Sequence, residues 1–455
     1  MKPSFIALLS LYSATCMASP VAAMSGDDSK PAESHGPANG TNSTNTDPMF
    51  QLSSDPDFHY EILRTLAVSS YEGADAGEVL VAAAKIKHGD MESYYKAFSD
   101  LAMRVDKQAQ SIDAQKYPIS ARNAYFKAST YYRSSDFFLH GNWSDPRINN
   151  IWDQQRRTFD AALKLMSIPG ERVTLQAKDD NFSIPAIFYG SGLPGPRPTL
   201  LLCNGYDGSQ EEMYHVIGQA ALQRGINVIS FEGPGHPTVR RDQDLGFIPE
   251  WEKVVTPVVD YALTRPEVQA DGIGLLGYSF GGELVSRAAA FEHRLTAVIA
   301  DDGLYDFGES LFNSFPPKLV EIYNSGNETY FNNLLMGALQ EPDTPTKFRW
   351  AIQQGMWAFK AQTPFEWATK SKLYSVKGLT SNITAPVFVG DAENDQFFAG
   401  QAPILAKHLG DKATYRMFTN LEGSGEHCSV GGSVLANQVI LDWFEGKVRK
   451  ENACK

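Results

Sequence analysis

The stretch Leu275-Leu276-Gly277-Tyr278-Ser279-Phe280-Gly281-Gly282 constrains this 455-residue chain more than any other. An apolar run ends in G-x-S-x-G, and a helix-forming segment from Glu283 to Ala290 follows it. A strand that turns straight into a helix leaves no room for side chains two positions either side of the serine, hence Gly277 and Gly281. Such a turn lifts the Ser279 hydroxyl out of the sheet and aims the Phe280 N–H at a developing oxyanion. The strand before and the helix after separate this pattern from a chance glycine turn.

Strands and helices alternate around that turn. Thr199 to Cys203, Asn227 to Phe231, Ile273 to Leu276, Val298 to Ala300, Val387 to Val389 and Thr414 to Phe418 read as strands, with helical segments between most of them. Alternation of this kind predicts an α/β fold, a mostly parallel sheet with helices on both faces, over residues 168–448. Val173 to Leu175 and Ile184 to Phe188 flank polar turns and predict a hairpin at its start. An aromatic, partly helical stretch at about 308–379 interrupts the alternation and predicts a cap inserted over the site. Residues 55–167 carry apolar side chains at helical spacing and predict a separate helical domain. Its aromatics, Tyr125, Phe126, Tyr131, Tyr132, Phe137 and Phe138, are first of all helix packing, and Tyr132 is a candidate to floor a substrate pocket.

A serine hydroxyl needs a base to take its proton, and in this fold the chain order is serine, acid, histidine. Of nine histidines only His427 lies in a small-residue loop between the last strand and the last helix; His408 sits in a helix and His236 in an early loop. The acid is expected after the strand ending at Val389, where Gly390-Asp391-Ala392-Glu393-Asn394-Asp395 follows. Asp395 is the expected residue because the loop must extend to reach the histidine, with Asp391 and Glu393 as alternatives. The second oxyanion donor is expected in Asn204-Gly205-Tyr206-Asp207-Gly208, at the Tyr206 amide beside that of Phe280. Phe231-Glu232-Gly233-Pro234-Gly235-His236 is expected to shape the site wall. No His-x-x-x-His, Cys-x-x-Cys, Walker or dinucleotide glycine pattern is present, so no metal and no cofactor is expected.

A net charge of −13 argues against nucleic-acid and anionic-membrane partners and leaves a small-molecule substrate. No apolar run beyond the N-terminus is long enough for a stable membrane span. Lys2, an apolar run from Phe5 to Tyr12 and small residues to Ala23 predict a signal peptide over 1–23, followed by a polar linker over 24–54. Asn-x-Ser/Thr sequons at Asn39, Asn42, Asn142, Asn181, Asn327 and Asn382 point the same way, to a secreted or secretory-pathway glycoprotein. Cys16 would leave with the leader. Cys203, Cys428 and Cys454 remain, an odd number that excludes a disulfide scaffold.

The elbow, the Gly205-Tyr206-Asp207-Gly208 turn, Glu232-Gly233-Pro234-Gly235, Gly425-Glu426-His427-Cys428, and the helical segment from Ser120 through Tyr132-Arg133 to Arg147 carry a resemblance. Over roughly residues 55 to 448 the chain resembles the α/β-hydrolases that include the dihydroxypseudooxynicotine hydrolase and a fungal heptaketide-shortening pigment hydrolase, relatives of the fermentation–respiration switch proteins. The resemblance implies cleavage of a carbon–carbon bond next to a ketone, a helical cap over the serine, and often a homodimer. It carries over Ser279, Asp395 and His427 as the triad, and offers Asp306 and Glu309 as groups that orient substrate. The secretory leader departs from that pattern. A broad-specificity secreted esterase or peptidase is the other enzymatic reading, and a binding protein on a hydrolase fold is the non-catalytic one; filled triad positions argue against the latter.

Overall fold

The computed structural model describes residues 49–178 and 180–448. The leader, the linker as far as residue 48, Asn39, Asn42 and Cys454 lie outside the described residues. Eight strands form one sheet in the order β1-β2-β4-β3-β5-β6-β7-β8. They are β1 (Glu171–Gln176), β2 (Ser183–Tyr189), β3 (Arg197–Cys203), β4 (Asn227–Phe231), β5 (Val268–Tyr278), β6 (Ala297–Asp301), β7 (Val387–Ala392) and β8 (Ala413–Phe418). β2 runs antiparallel to β1 and β4, and every other pairing is parallel.

Parallel strands covered on both faces need apolar side chains at every position, which is why β3 reads Leu200-Leu201-Leu202 without alternation. Leu201, Ile229, Leu275 and Val298 face one buried layer, whereas Leu200, Leu202, Leu276 and Ile299 face the other. Each such side chain contributes about 1.5–3 kcal/mol by leaving water. Between β3 and β4 the helical stretch is broken into Gln210–Met213, a wider π turn at Tyr214–Gly218, and Gln219–Gln223.

Before the sheet come the helices Pro56–Ala67, Ala76–Ala83, Met91–Ser111, Pro118–Asp136 and Arg147–Lys164. Aspartates start three of them: Asp55, Asp75 and Asp90 each accept hydrogen bonds from first-turn amides. Between β6 and β7 five more helices, from Phe307–Ser314 to Pro364–Ser371, form the insertion. Phe58, Tyr94 and Tyr131 of the early helices, Phe331, Trp357 and Trp367 of the insertion, and one face of the sheet share a continuous apolar core. Both added layers therefore close over the C-terminal ends of β3, β5, β6 and β7, where open α/β sheets place their ligands.

Candidate active site

Ser279 sits at the tip of β5 in the left-handed region, φ 61°, which a non-glycine residue adopts only when its surroundings enforce it. Its own N–H donates to Asp301 O at 2.6 Å. A Cβ on Gly277 would lie 2.0 Å from Gly281 O, so glycine is the residue the turn admits there. His427 follows β8 and the turn Thr419–Gly425, and Cys428 and Ser429 after it are both left-handed, φ 54° and 55°. That backbone brings His427 Nε2 to 2.8 Å from Ser279 Oγ.

Two carboxylates crowd the other imidazole nitrogen. Asp395, in the loop after β7, places Oδ1 3.0 Å from His427 Nδ1 in hydrogen-bonding geometry, and the same oxygen accepts from the Phe397 and Phe398 amides. Asp302, directly after β6, places Oδ2 2.5 Å from Nδ1. Nothing in the β6 strand pattern marks Asp302 as a partner of the histidine; the one available signal was two acids, Asp301 and Asp302, ending an apolar run. Asp391 bonds to Tyr415 instead, and Glu393 to the Asn420 amide.

The electrostatics follow from this crowding. Burial pushes the His427 imidazole down, but Asp302 and Asp395 outweigh it and hold the pKa well above 6.5. Burial pushes the Asp302 carboxyl up, to about 6, against the pull of His427. Asp395 is held below its ordinary value despite burial, by His427 and the two amides. Asp302, His427 and Cys428 bring three ligand-type atoms within 4.8 Å, yet both imidazole nitrogens already face other partners, Ser279 and the Asp395–Asp302 pair. Cys203 and Cys428 are both free and buried, so no bridge joins them.

The turn Asn204–Gly208 packs directly on the elbow: a Cβ on Gly205 would lie 2.7 Å from Tyr278 O and 3.0 Å from Phe280 N. Tyr206 and Phe280 are thereby brought together beside Ser279. The Phe231–His236 loop, expected from sequence to shape the site wall, does not line the cleft and lies behind the turn instead. His236 Nδ1 accepts from Gly233 N, so its Nε2–H donates to Asn204 O at 3.0 Å.

A cleft opens over Ser279. Tyr60 and Arg64 from the first helix, Phe307, Trp350 and Trp367 from the insertion, and Phe397 and Phe398 from the acid loop line it. Tyr60 also donates to His427 O at 3.2 Å. Three residues expected to meet substrate are elsewhere. Tyr132 is buried among helices with its hydroxyl on Asp106 Oδ2, because the aromatic stripe that suggested it faces the helical core. Asp306 caps the helix Phe307–Ser314 by accepting from the Glu309 amide, and Glu309 points to solvent.

The model of the alpha/beta hydrolase family matches residues 200–431, and the chain belongs to that family. Among its relatives, the Hydrolase LUC6 of a Fusarium species is 29% identical over 417 residues, covering 87% of this chain and 98% of that protein. The 20-hydroxy-prefusarin hydrolase FUS2 of Gibberella moniliformis is 30% identical over 412 residues, covering 85% and 96%. The crystal structure of the 2,6-dihydroxy-pseudo-oxynicotine hydrolase superimposes with a TM-score of 0.66 over 85% of this chain and 95% of that one; at 19% identity this likeness concerns the fold alone.

Proposed function

We propose that this chain is a serine hydrolase that cleaves an ester or a carbon–carbon bond beside a carbonyl in a polyketide-like or acyl-aromatic metabolite. The observation that carries the reading is the 2.8 Å contact between Ser279 Oγ and His427 Nε2, with carboxylates on the far nitrogen. Ser279 Oγ attacks the carbonyl while His427 Nε2 takes its proton. The oxyanion accepts from the Tyr206 and Phe280 N–H groups. His427 then returns the proton to the leaving oxygen, or to a leaving carbon whose electron pair a neighbouring ketone delocalises. Water, deprotonated by the same imidazole, releases the acyl group. Asp395 holds the Nδ1–H tautomer and stabilises the imidazolium. The aromatic cleft favours a flat apolar substrate, and FUS2, whose name specifies 20-hydroxy-prefusarin, supports a role in secondary metabolism. Matched aryl esters and aryl 1,3-diketones, with the acyl-enzyme trapped by acid quench and mapped, test this. Acyl mass on the Ser279 peptide is expected; turnover that survives Ser279→Ala contradicts it.

Passage through the secretory pathway belongs to the same proposal. Asn142, Asn181, Asn327 and Asn382 are all exposed, as acceptors of glycan must be. Glycopeptide mapping of protein from its natural host is expected to find sugar at these sites, and four bare asparagines would count against secretion.

A further inference from the structure

The catalytic turn and the helical domain meet across a cluster of five charges, of which Glu61, Arg64 and Arg133 are buried and Asp207 and Glu212 partly exposed. Arg64, on the first helix, donates to Asp207 Oδ1 at 2.9 Å and grips both oxygens of Glu212 at 2.7 and 2.8 Å. Arg133, on the helix Pro118–Asp136, donates to the same Asp207 oxygen at 3.3 Å and lies 3.6 Å from Glu212 Oε1. Glu61 bridges the two arginines, at 3.3 and 3.1 Å. Glu212 Oε2 also accepts from Asn204 Nδ2 at 3.1 Å. Among the described residues the hydrogen-bond partners of the Asp207 carboxylate are these two arginines.

The oxyanion turn is thus clamped at both ends, Asn204 through Glu212 and Asp207 through the arginine pair, with the Tyr206 N–H in between. The sheet does not supply either arginine. The insertion adds a third hold, since Gln354 Nε2 donates to Tyr206 O at 3.2 Å. We infer that Arg64 and Arg133 are positioning residues for the Tyr206 oxyanion donor, so that docking of the N-terminal helical domain completes the catalytic site. A planar guanidinium suits this task because its fixed fork holds two carboxylates at set angles. Placement matters because a donor acts on the transition state only when held within about 0.5 Å of its working position.

This inference rests on the serine-hydrolase reading, and its test separates the two. The full-length Arg133→Met/Glu61→Gln double variant keeps the cluster's charge balance and avoids an unpaired buried acid; Arg133→Lys is the conservative companion. Two probes are used: 4-nitrophenyl butanoate, and an alkyl trifluoromethyl ketone. In the ketone adduct Ser279 Oγ bonds to the carbonyl carbon, the π pair moves to oxygen, and the hydroxyl proton goes to His427. The adduct needs the oxyanion hole; ground-state binding of the ester does not. The double variant is expected to lose about tenfold or more in kcat and in ketone affinity per titrated active site, with KM within about twofold and Arg133→Lys between. Unchanged kcat and ketone affinity in folded variants overturns the inference and leaves the cluster a stability device. Should the double variant not fold, Arg133→Lys decides alone on the same two readouts. A wild-type Ser279 that no fluorophosphonate labels overturns the parent reading, and this one with it.

Discussion

His427 and Tyr206 both lie beside Ser279, yet their neighbours come largely from different parts of the chain. The His427 ring is held by loops of the sheet, since Asp395 follows β7, Asp302 follows β6, and the loop after β8 carries the imidazole itself; the N-terminal helices reach only its backbone oxygen, through Tyr60. Tyr206 follows β3 but is held largely from outside, by arginines of the N-terminal helices and a glutamine of the insertion. On the proposed mechanism, proton transfer then depends mainly on loops of the sheet, and oxyanion stabilisation on the added layers as well. Changes on the histidine side should abolish chemistry outright, whereas changes on the tyrosine side should grade it.

The largest effect tests the shared centre. Ser279→Ala and His427→Ala are each expected to lower kcat on the order of 10⁴-fold or more, with both together no worse than one, measured with 4-nitrophenyl butanoate. Additive losses would mean that the two do not act as a unit. Asp395→Asn comes next, about 10³- to 10⁴-fold, because the amide favours the wrong tautomer. Asp302→Asn should cost less, since the in-line hydrogen bond belongs to Asp395. A ranking in reverse order would transfer the orienting role to Asp302.

The pair also has a signature in pH. The base must be neutral, and its pKa is raised, so kcat/KM is lost as pH falls through a midpoint above 6.5. Asp302→Asn removes a charge that raises that pKa, and the acid limb should move to lower pH. An unmoved limb would remove Asp302 from the electrostatics of His427.

On the oxyanion side, Gly205→Ala pushes a methyl to 2.7 Å from Tyr278 O and 3.0 Å from Phe280 N. A loss of about 10²-fold in kcat is expected, with KM little changed; a loss confined to KM would put the turn in substrate binding. The smallest effect belongs to Tyr132→Phe. It removes one hydrogen bond to Asp106 and should cost about 0.5–1.5 kcal/mol of stability in denaturant unfolding, with kcat and KM unchanged.

The same division governs what can be read from sequence. Ser279, His427 and the approach of Tyr206 to Phe280 are legible because strand, glycine turn and helix fix their positions locally, and because strand order dictates where acid and base must follow. Asp395 is legible as far as the loop after β7. Asp302 is not, because two loops can reach one imidazole and only packing shows that both do. Tyr132, Asp306 and Glu309 mislead for a related reason: a helical stripe or a capping acid reveals its spacing but not which neighbour it faces. Arg64 and Arg133 look like ordinary helix residues, and their role exists only where two domains meet.

The most direct test of the account is fluorophosphonate labelling of the full-length protein with peptide mapping, in wild type, Ser279→Ala and His427→Ala. Label is expected on the Ser279 peptide in wild type and on neither variant. Label on another residue, or label that persists without His427, would contradict it.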